Sequence, residues 1–373
     1  MLSQEHILSR SDLELATDRK IRAISRLAYD HNPFLHRLFD SAGMNPHTDV
    51  SGKSDLLKAY KKGVRTTGAD VEKLYADYAP ELPTIEIWSS GSSSRSKKIL
   101  VSRDALIRSS RGQERRDRAS GIQDGQRVLR FSAEAPHATS ISSVPALFHG
   151  SPKVRTLAFH LPSLYKNVAK AEKERIAQSY IDMIYEFNPD HVRGGVFAVY
   201  KFARWLVGYG LDIEKLSVKS VHLGGDPTTE EERKAIGKLW NAEPFDSYSS
   251  SEVNLVSYEC HSHSGMHINE NDIFVATVDP ESGDDVGGNK MGRDLCTPLY
   301  EDGEMPATFF LNYSHGDNIA ILEDTCPCGE ISMLSTHPTR DTRKKLISGF
   351  GLDIKEQPSI VRRAARKIGR SLN

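Results

Sequence analysis

Between residues 127 and 223 short β-type runs alternate with helical patterns, and few folds accommodate that order. Arg127–Phe131, Val154–Phe159, His191–Gly195 and Val218–Leu223 are rich in β-branched and apolar residues. The segments Glu172–Phe187 and Phe197–Gly208 carry apolar residues at helical spacing between the later runs. Strands that alternate with helices of this length are joined by crossovers, so the pattern predicts an α/β core with parallel strands.

The flanking segments differ from this core. Leu15, Ile21, Ile24, Leu27, Ala28, Phe34, Leu35 and Leu38 recur at spacings near three and four, interrupted by Asn32-Pro33. This predicts two amphipathic helices with a turn between them, and further helices over Ser54–Tyr60 and Ala69–Tyr78. Beyond Val253 the chain reads as short strands punctuated by Gly, Asp and Pro, including Ile273–Val278 and Pro306–Leu311, a pattern that suits a β-rich subdomain. The chain of 373 residues carries 49 Lys plus Arg against 50 Asp plus Glu, so no global charge draws it to nucleic acid or anionic lipid. No apolar run reaches the length of a membrane span, and the expectation is a soluble, cytoplasmic protein. The basic segment Arg103–Arg118 interleaves Asp104, Glu114 and Asp117 and offers no aromatic platform, which disfavours nucleic-acid binding.

Several segments bear chemistry. Thr84–Trp88 reads as a strand that enters Ser89-Ser90-Gly91-Ser92-Ser93-Ser94-Arg95-Ser96 and leaves through Lys97-Lys98 into another strand, Ile99–Val101. Backbone N–H groups and hydroxyls of such a loop can surround phosphate oxygens while the lysines offset charge, although Gly/Ser-rich segments also serve as plain linkers. The Walker pattern is absent. Gly224-Gly225-Asp226 follows a strand and precedes a helix, where twin glycines permit close approach to a ligand. Asp246-Ser247-Tyr248-Ser249-Ser250-Ser251-Glu252 combines an aromatic ring, hydroxyls and carboxylates. A ring can stack on a base, and a carboxylate with a hydroxyl can hold phosphate-bound magnesium. Tyr313-Ser314-His315-Gly316-Asp317 adds a carboxylate suited to ribose hydroxyls.

In this order, followed by Arg340-Asp341, these segments resemble the motifs of the acyl-adenylate-forming (ANL) superfamily. The phenylacetate–CoA ligase branch is the nearest likeness, through Leu27-Ala28-Tyr29-Asp30-His31-Asn32-Pro33-Phe34, Glu259-Cys260 with Gly265-Met266-His267-Ile268, and Cys326-Pro327-Cys328-Gly329. The likeness runs from about residue 20 to about residue 354 and implies mostly parallel sheets flanked by helices plus a small β-barrel-like subdomain. It implies an adenylation core over 1–338, with 253–338 the β-rich part. Residues 339–373 would be a hinge remnant and basic tail, without the family's mobile C-terminal domain.

The resemblance also implies roles. Ser90, Gly91, Ser92, Ser93 and Lys97 would close over the β- and γ-phosphates of ATP. Gly224, Gly225 and Asp226 would line the adenine and acyl site, with Asp246 nearby and Tyr248 stacked on adenine. Ser251 and Glu252 would hold phosphate and Mg²⁺, and Asp317 with Arg340 would bind the ribose. The implied reaction is attack of an aromatic carboxylate, a phenazine carboxylate in the narrowest reading, on the α-phosphate of ATP to give acyl-AMP and pyrophosphate. The acyl group would then pass to a separate acceptor or reductase protein. Thioester formation by this chain alone is not expected, and a homodimer is the default assembly. Ser94, Ser96, Ser249 and Ser314 depart from the family pattern, which leaves a nucleotide-binding scaffold without turnover as the alternative.

Cys260, Cys326 and Cys328 supply three thiols, and His261, His263 or His267 could complete a tetrahedral zinc site. The family likeness favours His267 and a structural role for the ion. Cys296 is left as an ordinary, partly buried thiol.

Overall fold

The computed structural model describes residues 9–76, 83–89, 97–132, 154–160, 169–225 and 227–339. The described chain forms two compact units. One contains residues within 9–124 and 246–338, and the other residues within 125–132 and 154–245.

The second unit realises the alternating pattern. Its five strands lie in the order Arg155–His160, Arg127–Ser132, His191–Gly195, Ser220–Gly224 and Glu243–Phe245, every neighbouring pair parallel. The helices Lys170–Phe187, Val196–Gly208 and Glu230–Trp240 connect them. Phe131, Phe159, Val192, Phe202, Val221, Ile236 and Trp240 form the apolar core of this unit. The Phe202 ring lies 4.8 Å from Phe131, 5.8 Å from Tyr180 and 5.5 Å from Trp205. The helix after the twin glycines begins at Glu230, with Thr229 as its N-cap in a reciprocal capping box with Glu232.

The first unit places helices against antiparallel strands. Arg10–His31 and Pro33–Ser41 are separate helices, as the Asn32-Pro33 break predicts. Asn32 is 1% exposed; its side chain accepts from Leu35 N–H, capping the second helix, and donates to the Leu74 carbonyl. The Thr84–Trp88 and Lys98–Ser102 strands pair antiparallel, so the Ser/Gly loop is a hairpin connection. One sheet orders Thr66–Thr67, Tyr313–Ser314, Gly292–Pro298 and Ile273–Val278. Another orders Ile321–Leu322, Leu334–Ser335, Met266–Ile268, Asn254–Glu259 and Ser247–Ser250.

Three expectations need correction. Pro306–Leu311 is not a strand. Pro306 cannot donate to a ladder, and Phe309, Phe310 and Leu311 are buried in the core cluster instead. Within the described part of the Ala69–Tyr78 expectation, which ends at residue 76, the helix starts only at Lys73, preceded by turns that Asp70 stabilises by accepting from Thr67 N–H and hydroxyl. Cys296 is wholly buried. In the basic helix Arg103–Ala119, Arg111, Arg115, Arg116 and Arg118 pair with Glu304, Asp272, Asp117 and Glu114. No described helix is long and apolar enough to cross a membrane.

Because Phe202 is fully buried at the centre of the second unit's aromatic cluster, Phe202→Ala is expected to cost about 3–5 kcal/mol in unfolding free energy, measured by denaturant titration.

Candidate functional site

The site in the first unit assembles around the end of the Ser247–Ser250 strand and the turn that follows. Glu252 sits in that turn with its side chain 8% exposed. Tyr313 Oη donates to Glu252 Oε1 at 3.0 Å, and Lys97 Nζ lies 3.6 Å from the same oxygen. Lys97 is held by the hairpin: its N–H donates to Ser89 Oγ, and its carbonyl accepts from Ser89 N–H. Its ammonium passes over Gly68, where an added Cβ would stand 2.2 Å from Nζ. Gly68, which the sequence reading did not single out, therefore leaves room for the lysine. Ser251 and Glu252 also line a shallow recess together with Arg108, Asn254, Tyr300 and Thr308.

Tyr248 reaches from its strand into a buried polar group. Its hydroxyl lies 2.9 Å from Asp294 Oδ2 and 3.0 Å from Asp317 Oδ2, and its ring packs edge-on to His315. His315 Nδ1 is 2.5 Å from Asp294 Oδ2, and its Nε2 is 2.8 Å from Ser250 Oγ. Asp294 and Asp317 are 0% and 1% exposed. Burial opposes ionisation of His315, but the Asp294 carboxylate outweighs it and raises the imidazole above its ordinary value. Burial likewise opposes the charge on Asp294, yet the His315 cation and its hydrogen bond hold the carboxyl below the usual range. Burial, with the two carboxylates, pushes the Tyr248 phenol well up, and burial with Glu252 does the same to Tyr313.

Lys97, Tyr248, Ser251, Glu252 and Asp317 thus all belong to this unit. Asp246 is buried in the same unit, where its N–H donates to Glu259 Oε2 and its carboxylate accepts from Ser247 N–H. Gly224 and Gly225 belong to the other unit: Gly224 ends a strand, and Gly225 adopts a φ of +89° that favours glycine. Ser90, Gly91, Ser92, Ser93, Asp226 and Arg340 lie outside the described residues. Sequence reasoning missed Asp294 and His315 as partners of Tyr248. The two lie 21 residues apart, and no local pattern pairs them.

A second cluster gathers Cys260, His267, Cys326 and Cys328, whose ligand atoms all lie within 4.8 Å of one another. Cys260 Sγ is 3.5 Å from Cys326 Sγ, and Cys328 Sγ is 3.2 Å from His267 Nε2. Sulfur atoms around a tetrahedral zinc stand roughly 3.8 Å apart, given bonds of about 2.3 Å. The opposite ring nitrogen, His267 Nδ1, bonds Ser332 Oγ, and Ser262 and Glu330 N–H donate to Cys260 and Cys328. Burial lowers the His267 imidazole, raises the Cys260 thiol and pushes Cys328 up to about 12, whereas at Cys326 burial is outweighed by hydrogen bonds from Cys328 and its neighbours, which hold the thiol down; ionising all three thiols together requires a cation. The donor set, spacing and outer hydrogen bonds fit zinc. His261 is not in the cluster, and His263 faces Glu259.

The parallel sheet with its helices and the β-rich unit constitute the fold of an acyl-adenylate-forming ligase, in its adenylation domain. Among solved structures, 2-hydroxyisobutyryl-CoA ligase in the postadenylation state with 2-HIB-AMP superposes with a TM-score of 0.73 at 17% identity, over 88% of this chain and 67% of that one. The open conformation of the same ligase, with 2-HIB-AMP and CoA, gives 0.72 at 16% identity, over 89% and 69%. By sequence, the chain is 24% identical over 335 residues to phenylacetate-coenzyme A ligase of Thermus thermophilus, covering 86% of this chain and 68% of the relative. No family model matches. The Thermus relative and the two structures of 2-hydroxyisobutyryl-CoA ligase are CoA ligases by name, and the likeness to the phenylacetate–CoA ligase branch rests on the Thermus enzyme.

The Asp294–His315 pair sets a pH window. The contribution of His315, whose value is raised, is full below its ordinary 6.5 and disappears as pH rises through its folded value. The contribution of Asp294, whose value is lowered, is full above its ordinary 3.8 and disappears as pH falls through its folded value. Asp294→Asn is therefore expected to destabilise most between pH 3.8 and 6.5 and less on either side, read from denaturation midpoints of both proteins against pH.

Proposed function

We propose that the protein is an enzyme that activates a carboxylic acid with ATP and Mg²⁺, forming acyl-AMP and pyrophosphate. The observation that carries this reading is the convergence of Lys97, Tyr313 and Glu252 beside Ser251 in the same unit as Tyr248 and Asp317. In the proposed roles, Lys97 offsets phosphate charge while Glu252 and Ser251 take magnesium and phosphate oxygens. Tyr248 would face the adenine, and Asp317 the ribose hydroxyls. The loop of Ser90, Gly91, Ser92 and Ser93, the Gly224-Gly225-Asp226 turn, Asp246 and Arg340 complete the nucleotide and acyl contacts in this assignment. Such a reaction asks little covalent chemistry of the protein: the carboxylate must be held in line with the α-phosphate while cations and oriented donors offset charge. The substrate in this reading is an aromatic acid, with phenazine carboxylates as the narrower class, and the acyl group passes to a separate acceptor or reductase.

Carboxylate-dependent ATP–pyrophosphate exchange, with a panel of aromatic acids including phenazine dicarboxylates, tests the proposal. Exchange with at least one acid is expected, and Lys97→Ala or Glu252→Gln should lower it about 100-fold or more with circular dichroism unchanged. Silence from a folded protein that binds ATP would favour the scaffold reading.

In the same reading Cys260, His267, Cys326 and Cys328 hold a structural zinc ion. With four protein ligands the site leaves no open coordination position, so the ion would tie the strands together rather than act on substrate. Elemental analysis of the purified protein should return about one zinc per chain, and Cys326→Ser should lose it together with thermal stability. A zinc-free protein of unchanged melting temperature would refute the assignment.

A further inference from the structure

We propose that Ser250, His315 and Asp294 form a relay of nucleophile, base and orienting carboxylate, and that Ser250 Oγ accepts an acyl group. Ser250 Oγ lies 2.8 Å from His315 Nε2, and the other ring nitrogen, Nδ1, lies 2.5 Å from Asp294 Oδ2. Nucleophile within hydrogen-bond reach of a base, and base oriented by a third group, is the geometric signature of covalent acyl transfer, whatever the order along the chain. The Val253 N–H donates to Ser250 Oγ at 3.2 Å, and above the pH at which His315 loses its second proton, the ring keeps Nδ1–H toward Asp294 and presents Nε2 as an acceptor for the serine hydroxyl. The side chains of His315 and Asp294 are 5% and 0% exposed, whereas Ser250 is half-buried and is the relay member that meets solvent. Tyr248 Oη fixes Asp294 from the other side. Asp294 thereby both orients the ring and stabilises the imidazolium that forms when the ring takes the serine proton.

The acyl donor rests on the adenylation reading. Ser250 is two residues from Glu252, and an acyl adenylate formed there is a mixed anhydride. Ser250 Oγ attacks its carbonyl carbon, and the bond from that carbon to the phosphate oxygen breaks. AMP leaves with the electron pair, and the serine proton passes to His315 Nε2 and then to solvent. The product is a seryl ester, which water or an acceptor hydroxyl, amine or thiol can resolve.

Two probes separate this inference from the reading beneath it. A fluorophosphonate reacts with an activated serine without ATP. It is expected to add one phosphonyl group per chain, mapped to Ser250 by peptide mass spectrometry, with labelling at least about 100-fold slower in His315→Gln and absent in Ser250→Ala. Wild-type protein given ATP, Mg²⁺ and an acid that supports exchange should carry the acyl mass on the same peptide. A folded protein that is unlabelled, or labelled only elsewhere, overturns the relay even when pyrophosphate exchange is active. Exchange and labelling without the acyl ester overturn Ser250 as acceptor. Labelling at Ser250 without exchange by any acid supports the relay and removes adenylation as its donor.

Discussion

The site in the first unit depends on the pairing of Asp294 with His315. A carboxylate with no exposed surface is costly unless hydrogen bonds and an opposite charge meet it. Here the imidazole, the Tyr248 hydroxyl and the weak Cys296 thiol contact all converge on Asp294 Oδ2. These bonds tie the Ser247–Ser250 strand to the Tyr313–Asp317 segment. Asp317 shares the Tyr248 hydroxyl. The group therefore reaches from a sheet edge on one side to the candidate ribose carboxylate on the other.

The Lys97–Glu252–Tyr313 group uses weaker physics over shorter reach. At 3.6 Å the ammonium is near Glu252 without a direct hydrogen bond, and its side chain is 23% exposed. Such a lysine is poised to exchange one anionic partner for another, which is the property a phosphate site needs. The Cys260–Cys328 region follows the opposite logic. Its four donor atoms lie within 4.8 Å of one another, and Cys260 and Cys326 are buried in a cluster with Leu334. One group is open to exchange and the other is closed.

Much of the fold was legible because it follows from local periodicity. The alternation over residues 127–223 gave the parallel sheet. Asn32-Pro33 gave the helix break, since proline suits the first turn and asparagine caps it. Pro306–Leu311 failed because its apolar residues serve core packing in an irregular segment, and composition alone does not separate that from a strand. The twin glycines were legible as a turn between strand and helix, but the helix begins only at Glu230, where Thr229 and Glu232 close a capping box.

The sequence by itself determined the elements, the ordered motifs and the set of metal-type donors, because propensity, capping and spacing act over a few residues. It left open which histidine joins the three cysteines. The pairing of Met266–Ile268 with Asn254–Glu259 and Leu334–Ser335 decided that for His267. Only the tertiary structure joined Ser250, Asp294 and His315, and only it set Gly68 beneath Lys97. These contacts span 21 to 65 residues along the chain, and burial and sheet register, rather than any local preference, bring such groups within hydrogen-bond distance.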